Sequence, residues 1–364
     1  MSIPWIIAIT IVFIIVQMFM YEKWGITNIR YNRRFSHSSV FSGEQIEMID
    51  EISNNKWLPV PWLRLESKIS SQLRFKKNTD LELEENPEEE FHRTLFSLLP
   101  YQKITRRHKV TCQNRGYYSL QTVSMTTGDV FGFTERFRTL ESSATVIVYP
   151  TLLPIDEVPL PSHSWLGDIT VRRWIIEDPF VFAGVREYAS GDSMNAVNWK
   201  ATARTGQLQV SQKDFTADHH LMIYVNFDQT EDIWWPIENE QLIENALSYA
   251  ASVANHSIKN GISTGFGCNA YLTPPFSDTT KKVKESVRIE PETGMEHFYY
   301  MLDTIAKVKM DRSRNFNQFL LEDIEEQRSN TDFLIITSLV TDKMKQHVHE
   351  LEMLGNAIEI MELK

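Results

Sequence analysis

Hydrophobic positions follow three rhythms along this chain, and each predicts a different kind of element. Residues Ile3 to Tyr21 carry no charged side chain and are almost wholly apolar. About nineteen residues at roughly 1.5 Å rise cover the ~30 Å hydrocarbon layer of a bilayer, so residues 1–26 read as a transmembrane helix and its flank. Trp5 and Trp24 fall near the two interfaces, where an amphipathic indole is favoured. A cleaved signal peptide would want a basic leader and a small-residue cleavage site. No Lys or Arg precedes the run, and bulky Gln17-Met18-Phe19-Met20-Tyr21 ends it, so an uncleaved anchor is expected.

Between residues 27 and 150 the rhythm has period two. Gln45 to Ile52 alternates polar and apolar residues, as does Trp62 to Glu66 after the turn chemistry of Pro59 and Pro61. Tyr117 to Val123 and Thr145 to Pro150 repeat the pattern, which predicts an antiparallel β-sandwich-like domain. Residues 151–217 read as a proline-containing connector and arm. From 218 to 364 short continuous apolar runs (Leu221 to Phe227, Phe333 to Ile336, Ala357 to Met361) alternate with helical spacings. The helical sets are Ile243, Leu247, Ala250, Ala254 and Ile258, then Phe298, Leu302, Ile305 and Val308, then Met344, Val348, Leu351 and Leu354. Strand, helix, strand, helix predicts a doubly wound parallel sheet with both faces covered. The expected fold class is therefore β plus α/β behind a membrane helix.

Charge adds direction. Lys23, Arg30, Arg33 and Arg34 follow the apolar run and only the α-amino group precedes it, so the bulk of the chain is expected on the cytoplasmic side of a cell membrane. Two cysteines, Cys112 and Cys268, lie far apart, which suits buried free thiols in a reducing compartment. A formal net charge of −11 argues against a nucleic-acid binder. The acidic run from Asp80 to Glu90 reads as a solvated loop or as a contact for a basic partner. Arg106-Arg107-His108-Lys109 in the same domain could equally balance it.

The densest mixture of charged, aromatic and glycine residues runs from Gly184 to Gly206. It reads Gly184-Val185-Arg186-Glu187-Tyr188-Ala189-Ser190-Gly191-Asp192-Ser193 and ends Trp199-Lys200-Ala201-Thr202-Ala203-Arg204-Thr205-Gly206. Asp192 or Ser193 can cap a short helix, and Gly206 fits the left-handed residue that ends one. The stretch resembles the signature of the family called domain of unknown function 58 (DUF58), whose members carry a von Willebrand factor A-like (vWA-like) domain. Arg115-Gly116-Tyr117-Tyr118, Gly128-Asp129-Val130-Phe131-Gly132 and Val148-Tyr149-Pro150 extend the likeness. Two readings compete for Arg186, Asp192, Trp199, Lys200 and Arg204. In the structural one Asp192 caps a helix and Trp199 is buried against the α/β domain. In the functional one the arm is a protein-docking surface, since Trp and Arg anchor interfaces.

The resemblance also implies a divalent-cation site at the carboxyl end of the first strand. Asp228 and Thr230 match its first two ligands, Asp232 stands where a serine belongs, and Thr293 is the candidate for the remote threonine. The acidic residue expected after a later strand is out of register, with Thr337-Ser338 there and Asp342 further on. An oxygen-only set suits Mg²⁺ or Ca²⁺, whereas Asp228 and Asp232 serve equally well as turn and cap residues. His219 and His220 would point to opposite faces of a strand and form no zinc site. No phosphate loop, nucleophile elbow or Cys/His pair is present. The expectation is a membrane-anchored, non-enzymatic binding protein. The resemblance further implies an AAA+ ATPase of the MoxR type as partner, in envelope or protein-assembly work. A metal-dependent hydrolase acting through Asp228 and a purely structural envelope component are the alternatives.

Overall fold

The computed structural model describes residues 3–70, 73–75, 89–160, 182–189, 194, 197–213, 220–231, 235–272 and 284–363. The chain divides into two compact units, Met1–Thr151 and Leu152–Lys364.

The first unit opens with α1 (Ile3–Trp24), a helix long and apolar enough to cross a membrane. Among the described residues nine strands follow: β1 (Ile29–Phe35), β2 (Ser39–Phe41), β3 (Gln45–Asn54), β4 (Val60–Ser70), β5 (Leu73–Phe75), β6 (Glu89–Leu98), β7 (Lys103–Cys112), β8 (Gly116–Gly128) and β9 (Glu135–Tyr149). They form a four-stranded sheet, β1-β3-β7-β5, and a five-stranded sheet, β2-β9-β8-β4-β6. All pairs are antiparallel except β2 with β9. The sheets face each other, because Phe35, Met48, Leu73 and Val110 of one share a buried cluster with Leu120, Ala144, Val146 and Val148 of the other. A second cluster joins Ile29 and Ile52 to Leu63, Leu65, Phe96, Val123 and Met125. The period-two alternation makes this possible, since every second residue of a strand points inward.

Within this sandwich lies a buried charge group. The Arg33 guanidinium donates to Asp50 at 2.6 and 3.2 Å and to the Ser67 hydroxyl at 2.7 Å, and the Tyr31 hydroxyl donates to Asp50 at 2.7 Å. The basic cluster on β7 is likewise spent within the unit. Arg107 pairs with Glu47 at 3.2 Å, and His108 lies 3.7 Å from Asp50. Strand β7 lies between β3 and β5, and most of the acidic run lies outside the described residues.

The second unit begins with β10 (Phe182–Glu187), α2 (Trp199–Thr205) and β11 (Gln209–Lys213). Then come β12 (His220–Val225), α3 (Glu240–Lys259), β13 (Ser263–Cys268), β14 (Ala270–Leu272), β15 (Val287–Glu292), α4 (Met295–Lys307), β16 (Val308–Arg312), α5 (Phe316–Glu325), β17 (Thr331–Thr337), α6 (Asp342–Met353) and β18 (Ala357–Glu362). The main sheet has the order β15-β13-β12-β17-β18. Four of its strands are parallel, while β15 runs antiparallel to β13 at the edge. Met222, Tyr224, Phe333 and Ile335 face α5 and α6 through Phe316, Phe319, Leu320, Met344, Val348 and Leu351. Helix α3 packs against β12, β13 and β17 and also contacts α4. Because successive side chains alternate faces, α3 takes the face opposite α5 and α6. Strands buried on both faces need apolar runs, which residues 221–225 of β12 and 333–336 of β17 supply.

The purely parallel expectation needs one correction, the reversed edge strand β15. A polar tie crosses the apolar layer beside it. Fully buried Asp323 of α5 accepts from the Tyr224 hydroxyl at 2.8 Å and Arg288 of β15 at 3.1 Å, and forms an ion pair with Arg328 at 3.2 Å. Cys112 and Cys268 are both buried and neither is in a disulfide.

Candidate functional site

Strand β12 leads to β13 on one side through α3, while β17 lies on its other side, so the sheet order reverses at the carboxyl end of β12. Crevices form at such reversals because the connecting segments diverge. A cleft of about 300 Å³ opens there, lined by Asn226, Asp228, Thr230, Glu231, Asn315, Asn317, Thr341 and Asp342 among others.

Its floor is a network built from buried side chains. The Asn226 amide donates to the Thr337 hydroxyl at 2.9 Å, and its carbonyl oxygen accepts the Asp228 N–H at 2.8 Å. Fully buried Asn269, at the end of β13, accepts the Phe227 N–H at 2.9 Å. It donates to Asp228 Oδ1 at 2.9 Å and to the Arg314 carbonyl at 3.0 Å. Asp228 Oδ2 accepts the Phe316 N–H at 2.8 Å, the first amide of α5, where a negative group also meets the positive end of the helix. Buried Arg312 brings its Nη1 to 3.8 Å from Asp228 Oδ1 and donates to the Trp235 carbonyl. Burial raises the Asp228 carboxyl above its ordinary value of 3.8, and the Phe316 N–H, Arg312 and Asn269 offset only part of that.

The predicted ligand set divides. Asp228 and Thr230 share the cleft, and Asp232 lies outside the described residues. Thr293 stands at the other end of the sheet. Its neighbour Glu292 pairs with Thr264, which pairs in turn with Leu221 near the start of β12. By strand rise, Thr293 is about 20 Å from Asp228. The reversed direction of β15 is the cause, since it carries the following loop to the amino ends of the parallel strands. Asp342 reaches the cleft rim, where its side chain is exposed and paired with Lys345 at 3.3 Å.

Among the described residues this set does not converge as a divalent cation requires, since Thr293 stands at the opposite end of the sheet from Asp228. Mg²⁺ and Ca²⁺ need free oxygens converging on one point, but both Asp228 oxygens accept N–H donors and a guanidinium stands beside them. Among the described residues no group of three His, Cys, Asp or Glu side chains converges. Sequence reasoning missed Asn226, Asn269, Arg312 and Asn315. The available signal was the polar residue directly after each apolar strand run, at Asn226 and Asn269.

The arm from Gly184 to Gly206 forms a second candidate surface. Strands β10 and β11 pair antiparallel, with Arg186 opposite Val210, and α2 lies between them in sequence. The helix starts at Asn198, whose side chain accepts the Ala201 N–H at 3.0 Å, so the cap is Asn198 and not Asp192. Asp192 itself lies outside the described residues. Gly206 ends the helix at φ 75°, as its composition predicts. The Thr202 hydroxyl accepts the Gln209 N–H at 3.0 Å and fastens α2 to β11. Arg186, Lys200 and Arg204 are exposed. Trp199 is 65% exposed, so the expectation that it is buried against the α/β domain is overturned. It is the first residue of a single short helix, none of whose residues is buried.

Comparison with known proteins gives one curated relative. The uncharacterized protein YeaD of Bacillus subtilis (strain 168) is 23% identical over 259 residues, or 71% of this chain. The chain spans about 58% of the length of that relative. Among solved structures, AvmM, which catalyses macrocyclization in alchivemycin A biosynthesis, covers 35% of this chain and 93% of its own at 14% identity and a TM-score of 0.25. A non-cellulosomal cohesin from Archaeoglobus fulgidus covers 33% and 91% at 10% identity and a TM-score of 0.23. Likenesses this slight carry no argument. Residues 184–363, from the first glycine of the arm to the end of the last strand, match the family described as protein of unknown function DUF58.

Proposed function

We propose that this chain is a membrane-anchored binding protein that performs no reaction of its own and presents the Trp199 arm to a protein partner. The observation that carries this reading is the exposure of Trp199 on an arm whose backbone is already fixed by the Asn198 cap, the Gly206 terminus and the Thr202–Gln209 bond. Tryptophan is enriched among interface anchors, and a preorganised one loses little entropy on binding. Lys200 and Arg204 beside it add steering charge. The cleft at Asp228 supports the same view, since Asn226, Asp228, Asn269 and Thr337 on its floor bond to one another.

In this reading the second unit is a vWA-like module. Its sheet order with one antiparallel edge strand supports that, as does the DUF58 match. The partner is an AAA+ ATPase of the MoxR type, served by an adaptor in envelope or protein-assembly work, with α1 as the single membrane span. The test is capture of the ATPase by the detergent-solubilised full chain under ATP-trapping conditions. Wild type should retain it, and Trp199→Ala should weaken retention roughly thirtyfold, the loss of about 2 kcal/mol typical of an interface tryptophan. The melting temperature should not move, because an exposed side chain contributes little to stability. Absence of any AAA+ protein from the wild-type capture, or unfolding of the variant, overturns the proposal.

A further inference from the structure

The most conspicuous apolar surface outside α1 lies at the tip of the β8–β9 hairpin. Val130, Phe131, Phe133 and Phe137 are all exposed, the last two at 65% and 80%. Single exposed hydrophobes are ordinary, whereas four within eight residues mark a surface with an occupant.

The tip is built rather than loose. Fully buried Asp129 accepts the Phe131 N–H at 3.2 Å, and the Thr134 N–H and hydroxyl at 2.8 and 3.3 Å. The Asp129 carbonyl takes the Trp62 indole N–H at 3.0 Å, and Gly132 supplies the left-handed turn at φ 77°. A carboxylate locked beneath the turn therefore holds the two phenylalanines outward, their rings 6.2 Å apart. An apolar loop whose shape is fixed in advance pays no further ordering cost when it enters an apolar phase.

Position identifies that phase. Glu22 is the first charged residue after the apolar run of α1, and its Oε1 lies 2.6 Å from Arg136 Nη2 at the start of β9. The hairpin tip is thus pinned at the depth where α1 leaves the hydrocarbon. Lys23, Arg136 and Arg138 surround it with exposed positive charge, and Trp24 is half exposed at the same level. Aromatic rings bordered by basic residues at that depth match the interfacial zone of a bilayer with anionic headgroups.

We infer that the Val130–Phe137 tip is a second membrane contact that inserts its phenylalanines into the headgroup boundary and fixes the tilt of the β-sandwich against the bilayer. The inference rests on α1 spanning the membrane, so the experiment tests both separately. Full-length protein is reconstituted into phosphatidylcholine–phosphatidylglycerol vesicles with an environment-sensitive nitrobenzoxadiazole label on one introduced cysteine. The native cysteines are buried and do not compete. Labels replace Phe133 at the tip, Ile11 in mid-helix, or exposed Asn114, which lies at the far end of β8 by about 40 Å of strand rise. Lipids spin-labelled near the headgroup should quench position 133 several-fold more than position 114, and lipids labelled at the chain end should quench position 11. A second variant, Phe137→Ser with the label at 133, should lose part of the quenching while remaining folded. Quenching at 11 with none at 133 overturns the inference and leaves the anchor standing; the tip then faces solvent or protein. Quenching at neither position removes both.

Discussion

Two buried aspartates show how similar residues differ by their neighbours. Burial raises the Asp50 carboxyl, but the Arg33 guanidinium and the Tyr31 hydroxyl outweigh it, and the net shift is downward from 3.8. A carboxyl with a depressed folded value stabilises the fold above its unfolded value and loses that contribution as pH falls through the folded one. Burial also lowers the nearby His108 below 6.5, so its protonation costs stability as pH falls below that value. Unfolding of the sandwich should therefore grow easier in two stages, the first below about pH 6.5 and the second below about pH 4. Asp50→Asn should remove the second stage in a denaturant titration across pH. It should also destabilise the unit by about 3–5 kcal/mol at neutral pH, because Arg33 is left buried without its counter-charge. At Asp228 the same chemistry serves the network under the cleft. Adding millimolar Mg²⁺ or Ca²⁺ should leave the melting temperature unchanged, and a rise of several degrees would contradict the geometry described. The position of Asp228 was readable, since it follows an apolar strand. Its partners Asn269, Arg312 and Phe316 were not, because they meet it only through the sheet order.

At the scale of elements, the period of the apolar residues was the dependable signal. Strands β3, β4, β8, β12 and β17 and helices α3, α4 and α6 all stand where the spacing places them. Direction was not legible. The strand Val287–Glu292 was not read from the sequence at all, and its reversed direction removes Thr293 from the cleft. Exposure was equally hidden, as spacing puts Trp199 on a face without saying whether anything covers it. Helix α2 carries its own prediction. Gly206 sits at φ 75° with open space where a side chain would lie, so Gly206→Ala meets only backbone strain. It should cost about 1 kcal/mol in a denaturant melt, and a neutral result would mean that the arm is not held as described.

For the molecule as a whole, the two units suit different tasks. The first joins the apolar helix to a sandwich, with buried Lys56 donating to the Trp24, Gly25 and Thr27 carbonyls just where the helix ends. A cation there satisfies carbonyls that have no partner within the helix. The second carries an exposed tryptophan on a capped helix and a cleft whose floor residues Asn226, Asp228, Asn269 and Thr337 bond to one another. Photo-crosslinking from a benzoyl-phenylalanine at position 199, in intact membranes under ATP-trapping conditions, addresses the binding role most directly. The account predicts an ATP-dependent adduct in which mass spectrometry identifies an AAA+ ATPase. Adducts from position 199 that match those of a remote surface position, with no such ATPase among them, would contradict it.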